Sequence, residues 1–334
     1  MLLILVIAAA IGFGIANGFN DAANSIATVI GSRTLSPRAA VIMAVFFEFA
    51  GAATGTAVAM TIGKGIVDPE ALTMNIVLSG AGAIIIWAFI ATYYGTPISL
   101  THGLVAGLVG AGIATGGKKI IIWGTLARVL SAVGIAPLLG LAGGFLAMVA
   151  ILWLFQRAAP AKIQVIFSKL QILSSAFLAY SHGKNDGQMP IGLIAMALVA
   201  SPYYDTSLWG RLSLLDFDTW WIIVVSAASI SFGTAVGGWR VIKTLGLKMT
   251  TLRPVHGFAA TASAATIIEV ASHLGIPVST THCVSTAVMG VGATKRLSAV
   301  RWGIARDIVL AWILTFPICG ILGWIIASIV KVFL

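Results

Sequence analysis

The sequence predicts an all-α polytopic membrane protein made of two inverted-topology repeats, with broken helices and re-entrant hairpins. Three observations carry this. Apolar runs long enough to span a bilayer recur from one end of the chain to the other. Polar interruptions inside those runs come in pairs, one in each half. Positive charge collects in alternate loops.

Composition sets the class. Of the 334 residues, 59% are hydrophobic and 9% charged, and the mean hydropathy is +1.03, a profile foreign to soluble domains. Strands of a β-barrel would be short and alternating, so a barrel is excluded. The 37 glycines suit close helix packing. The net charge of +10 comes mainly from lysines and arginines between apolar runs, with no basic run interleaved with aromatics. The expected partner is therefore the lipid bilayer and not nucleic acid. Cys283 and Cys319 lie in apolar runs and read as packing residues. The first run lacks a basic leader and is expected to stay as a membrane helix.

In chain order, residues 1–31 form an apolar segment expected to break near Asn17 to Asp21. Residues 39–63 form a second span containing Glu48. Residues 76–116 are interrupted at Gly95–His102, and a long run, 120–155, completes a first repeat over 1–155. The polar stretch 156–171 reads as a cytoplasmic linker. The second repeat, 172–334, opens with 172–200, expected to break at His182–Gln188. A loop with Asp205, Trp209, Asp216 and Asp218 follows, then a span over 220–239 with Trp220 and Trp221 as interface anchors. Next come a basic loop, an interrupted unit at 257–292 broken at Gly275–His282, and a last span, 304–330.

Topology follows from loop charge. If each interrupted unit enters and leaves on one side, one face collects Arg33, Arg38, Arg157, Lys162, Lys169, Arg240, Lys243, Lys248, Arg253, Lys295, Arg296 and Arg301. The other face has Lys64, Lys118, Lys119, Arg211 and Lys331, with as many acids. The first face is then cytoplasmic and both termini are extracellular. The first hairpin enters from outside and the second from inside.

The paired interruptions carry the chemistry. Gly18-Phe19-Asn20-Asp21-Ala22-Ala23-Asn24 is echoed by Gly183-Lys184-Asn185-Asp186-Gly187-Gln188, and Pro97-Ile98-Ser99-Leu100-Thr101-His102 by Pro277-Val278-Ser279-Thr280-Thr281-His282. A third echo sets Trp123, Gly124, Pro137 and Gly140 against Trp302, Gly303, Pro317 and Gly320. Interrupted segments at matching places in two halves point to a transporter binding site.

Intramembrane carboxylates are costly and mark functional cavities. With Asn20, Asn185 and unwound carbonyls, Asp21 and Asp186 form candidate sites for a hard cation, each helping to hold one Na⁺. In each hairpin the proline stops one helix and a serine caps the next, so freed N–H groups make an anion site. Ser99, Thr101, Ser279, Thr280 and Thr281 add hydroxyl donors. His102 and His282 either donate to the anion or orient the loop. Glu48 is a candidate cavity carboxylate.

These motifs resemble the inorganic phosphate transporter (PiT) family, whose signature is Gly-x-Asn-Asp-x-x-Asn in each half and Pro-Val-Ser-Thr-x-His in each hairpin. The run Leu252-Arg253-Pro254-Val255-His256-Gly257-Phe258-Ala259-Ala260 is also family-like. The resemblance covers nearly the whole chain. It implies a symporter of inorganic phosphate with Na⁺ or H⁺, homodimeric, in the plasma membrane, and neither an enzyme nor a holder of a resident cofactor. It places phosphate at the hairpin tips, with Asn24 and Gln188 beside them, and cations at the Asn-Asp pairs. Two residues depart from the pattern. Thr261 stands where the family has Glu, and Lys184 where it has a neutral residue. Lys184 either pairs with Asp186, reaches phosphate, or snorkels to the surface.

Transport of another tetrahedral oxyanion, such as sulfate, is the runner-up. From other classes, a metal hydrolase using Asp21, Asp186 and the histidines lacks a His-Glu-x-x-His pattern. A passive anion channel fits paired dead-end hairpins less well than alternating access.

Overall fold

The computed structural model of the protein describes residues 1–333. The first half holds α1 (Leu2–Gly31), the bent pair α2 (Pro37–Ala52) and α3 (Ala57–Gly65), the hairpin α4 (Met74–Tyr94) and α5 (Leu100–Gly116), and α6 (Trp123–Leu154). The second holds α7 (Pro160–Asp186) and α8 (Gln188–Val199), short α9 (Leu208–Arg211), the bent pair α10 (Trp220–Val236) and α11 (Trp239–Lys243), the hairpin α12 (Pro254–His273) and α13 (Thr280–Ala293), and α14 (Trp302–Phe333). Among the described residues, five spans are long and apolar enough to cross a membrane, or up to seven if each bent pair counts as one. The chain is a multi-pass membrane protein.

Both hairpins break where the sequence predicts. Tyr94 and His273 end the incoming helices, Pro97 and Pro277 occupy the breaks, and Ser99 and Ser279 cap the outgoing ones. Each cap accepts from a histidine N–H, His102 at 3.3 Å and His282 at 3.2 Å.

Three expectations are corrected. The Asn-Asp segment of α1 is not broken, because the helix runs through Asn17 to Ser25 without interruption. Nothing there forces unwinding: the stretch lacks proline, and polar side chains alone do not remove a backbone hydrogen bond. In the second half the interruption shrinks to Gly187, whose N–H still bonds the Gly183 carbonyl. Breaks occur instead inside the two expected single spans, as bends of 65° between α2 and α3 and 63° at Gly237-Gly238. The polar stretch 156–171 is mostly helix, since α7 starts at Pro160.

The helices interlock across the halves. α1 packs on α10 and α2 on α7, while α5 packs on α14 and α13 on α6. The motif glycines set two of these crossings. A Cβ on Gly18 would strike the Ile230 carbonyl, and one on Gly183 the Glu48 carbonyl. Facing them, a Cβ on Gly233 would strike the Ile15 carbonyl and one on Gly51 the Tyr180 carbonyl. Small residues let the backbones approach this closely. The crossings bring the polar stretch of α1 against that of α7 in the interior.

Candidate functional site

The site forms where α1, α7 and the start of α13 meet. Asp21 and Asp186 are both buried there, with His182 between them. His182 Nε2 lies 3.5 Å from Asp186 Oδ2 and 4.0 Å from Asp21 Oδ2. One donor atom from each of the three lies within 4.8 Å of the others, a spacing at which one cation can be shared. Hard cations prefer oxygen ligands, and the amides of Asn17 and Asn24, which bond Asp186 and the two hairpin threonines, stand beside the carboxylates as candidates. The Oδ1 atoms of Asn17, Asn20 and Asn24 are buried and take no hydrogen bond among the described residues. Because α1 is unbroken, the candidate ligands it offers are side chains. The expected unwound carbonyls are not freed in this half.

The aspartates take donors from the second hairpin. Thr281 donates to Asp21 Oδ1 at 2.8 Å, and Thr280 reaches Asp186 Oδ2 at 3.5 Å. Asn24 Nδ2 donates to both threonines, at 3.2 and 3.0 Å. Asp186 also accepts from Asn17 at 3.3 Å and from Asn185 at 2.5 Å. Asn185 ties the hairpin tip down. Its amide donates to the Val278 carbonyl at 2.8 Å and its oxygen accepts from Val278 N at 3.3 Å. Thr101, from the first hairpin, donates to the same carbonyl at 3.2 Å. The two hairpin tips thus meet at Val278.

Beneath the carboxylates lies a second layer. Glu48, fully buried, accepts from Ser25 at 2.9 Å and Thr234 at 2.5 Å, and lies 3.0 Å from His182 Nδ1. It joins α1, α2, α7 and α10 and sets the orientation of the imidazole. Behind the hairpin tips, His102 and His282 face each other with ring centroids 4.9 Å apart. His102 stacks on Phe316, and His282 lies 3.9 Å from Trp312. All four of their ring nitrogens are buried without a hydrogen bond among the described residues.

Not every predicted residue gathers here. Asn20 turns its amide to Thr92 at 2.6 Å. Gln188 caps α3, accepting from Val58 N at 2.8 Å and Ala59 N at 3.3 Å. Thr261 bonds Ser174 at 2.6 Å, away from the carboxylates. Of the three alternatives for Lys184 (Asp186, phosphate or the surface), the structure shows none directly: its ammonium pairs with Glu269 on α12. The residues that sequence reasoning missed are Asn17, His182, Ser25, Thr234 and Ser272, which donates to Asn185 Oδ1 at 3.4 Å. His182 and Asn17 stand beside the glycines of the two motifs, so their position was legible; Thr234 was not, because its contact depends on the α2–α10 crossing.

The model of the phosphate transporter family matches residues 17–323. A probable low-affinity inorganic phosphate transporter of Rhizobium meliloti (strain 1021) is 39% identical over 323 residues, covering 96% of this chain and 94% of that one. Its namesake in Bacillus subtilis (strain 168) is 37% identical, covering 97% and 95%. A solved structure described as the sodium-dependent phosphate transporter superposes with a TM-score of 0.88 at 28% identity, over 100% of both chains.

Proposed function

The chain belongs to the phosphate transporter family, and we propose that it is a secondary active symporter that carries inorganic phosphate with Na⁺ or H⁺ across the plasma membrane. Sulfate and other tetrahedral oxyanions are disfavoured by the family. Transport is by alternating access between two inverted repeats.

One observation carries the coupling. The hydroxyls expected to bind the anion are tied to the carboxylates expected to bind the cation, Thr281 to Asp21 and Thr280 to Asp186. A hydroxyl has one proton to donate. While it bonds a carboxylate it does not bond phosphate. A cation on Asp21 and Asp186 draws their oxygens to itself and offsets their charge. The threonines then turn to the anion, and with Asn24, Ser99 and Ser279 they surround it with neutral donors. Without the cation, two carboxylates repel the phosphate and hold its ligands. Binding of either ion therefore favours the other.

His182 decides between coupling ions. A protonated imidazole between the carboxylates stands in for Na⁺; a neutral one leaves room for it. Proteoliposome uptake under separately imposed Na⁺ and H⁺ gradients tests the proposal. Concentrative phosphate uptake driven by either gradient is expected. Equal uptake with no gradient, or uptake of sulfate in preference to phosphate, overturns it.

A further inference from the structure

The two hairpin tips are latched alike and finished differently. Thr61 on α3 donates to the Gly275 carbonyl at 2.6 Å, and Thr244, just past α11, donates to the Gly95 carbonyl at 2.9 Å. Both glycines have positive φ, 67° and 72°, which lets the chain turn into the break. At Gly95 the corner is closed. Arg240 donates to the Tyr93 carbonyl, and its guanidinium lies 4.8 Å from the centre of the Tyr93 ring.

At Gly275 the corner is open. A cavity of about 300 Å³ lies there, floored by Gly275, Ile276 and Pro277, with Lys64 from α3 and Arg128 from α6 on its walls. Neither cation makes a hydrogen bond or an ion pair among the described residues, and no acidic residue lines the cavity. One step along the chain, from Pro277 to Val278, leads from the cavity floor to the carbonyl that Asn185 and Thr101 hold in the buried site. Arg128 is the sixth residue of α6. The sixth residue of α14 is Asp307, which lines a cavity beside Thr96 and Ile98 at the other hairpin tip. Asp307 is paired with Arg306 at 3.7 Å, whereas Arg128 stands unpaired among the described residues.

We propose that the cavity lined by Lys64 and Arg128 is a peripheral binding site for a small inorganic oxyanion, where phosphate docks before the second hairpin passes it inward. Lys64 and Arg128 are exposed, and unpaired cations of one sign lining a concave surface raise the local anion concentration. The planar guanidinium of Arg128 matches two oxyanion oxygens, and Lys64 adds a point charge. The Thr61–Gly275 bond marks where the floor gives way. The anion's identity rests on the transport reading above, and the cavity's external placement rests on the distribution of loop charge. In that orientation the positive cavity faces outside, which favours capture there.

The test uses the full chain in proteoliposomes with labelled inorganic phosphate. Lys64→Gln with Arg128→Gln is expected to raise KM for phosphate about fivefold to tenfold at low ionic strength while leaving Vmax unchanged. Added choline chloride at fixed Na⁺ should raise the wild-type KM toward that of the double variant, because salt screens the cavity. Lys119→Gln, which removes a cation outside the cavity, is the control and should leave KM unchanged. An unchanged KM in the double variant, or an equal rise with Lys119→Gln, overturns the site. If the wild type carries sulfate in place of phosphate, the transport reading fails, and the same KM comparison with sulfate still decides the cavity. A cysteine substitution at Lys64 should react with a membrane-impermeant maleimide from outside; reaction from inside alone overturns the external placement.

Discussion

Helix α1 and the α7–α8 pair carry the same Gly-x-Asn-Asp sequence, and their neighbours correspond contact by contact. Gly18 meets Ile230 on α10 as Gly183 meets Glu48 on α2. Asn20 bonds Thr92 near the end of α4, as Asn185 takes a bond from Ser272 near the end of α12. What differs is charge. Asn17 on α1 stands where α7 has His182, and Ile230 stands where α2 has Glu48. Phe19 and Phe89, 6.4 Å apart, stand where the other half has Lys184 and Glu269. Asn24 and Thr280, bonded at 3.2 Å, correspond to the buried apolar Met189 and Leu100. In each case both members of the pair differ together. The shared contacts are steric and fix the helix crossings, while the differences place every buried ionisable partner of the carboxylates on one side. The site is therefore symmetric in scaffold and asymmetric in electrostatics.

The largest expected effect comes from the carboxylates. Losing even an outer partner of a metal ligand costs about 10–100-fold in affinity or activity, so Asp21→Asn and Asp186→Asn should each reduce concentrative uptake beyond that range. The halves should then separate in stability. Asp186 holds Asn17, Asn185, Thr280 and His182, whereas Asp21 holds Thr281 and faces His182. Asp186→Asn should lower the detergent-solubilised Tm more than Asp21→Asn. The reverse order would break the assignment of asymmetry.

Next is Glu48→Ile, which installs the residue of the other half. It removes the acceptor for Ser25, Thr234 and His182 at once. Each buried donor left unsatisfied costs about 1–3 kcal/mol, so loss of the fold or a Tm drop of many degrees is expected. A wild-type Tm would show that Glu48 is not the anchor of His182.

The scaffold contacts should be equal across halves. Gly18→Ala and Gly183→Ala each push a Cβ into a carbonyl of the crossing helix. Overpacking of this kind costs about 1–3 kcal/mol, and Tm should fall by similar amounts in both. A fall in one alone would mean that the two crossings are not equivalent.

Much of this was legible in the sequence, and what was not has a physical reason. Pro97 and Pro277 announced the hairpin breaks because proline removes a donor and stops a helix. Asn20-Asp21 did not announce a break, since polarity at membrane depth asks for a partner and not for unwinding; α1 finds its partners through side chains. The bends after Ala52 and Val236 had signals in Gly55 and Gly237-Gly238, which the mean hydropathy of those spans concealed. Thr280 and Thr281 were readable as donors, but not that carboxylates hold them. That depends on a fold that sets residue 21 against residue 281.

The smallest effect concerns Lys184. From sequence its ammonium stands two residues from Asp186 and invites a role in coupling. In the structure it turns to Glu269 on α12, half-buried, and the equivalent pair in the first half is Phe19 with Phe89. A contact filled by two aromatic rings in one half and by an ion pair in the other is a helix-packing contact, with no requirement for charge. Breaking one side of it, by Lys184→Ala, leaves the largely buried Glu269 carboxylate without its cation and should lower the Tm. Replacing both, Lys184→Phe with Glu269→Phe, copies the first half and should restore the Tm. In both variants the Na⁺ Hill slope and the charge moved per phosphate should equal the wild type. A changed slope in the double variant would return Lys184 to the coupling machinery and mean that the charge asymmetry extends beyond the site to the α7–α12 contact.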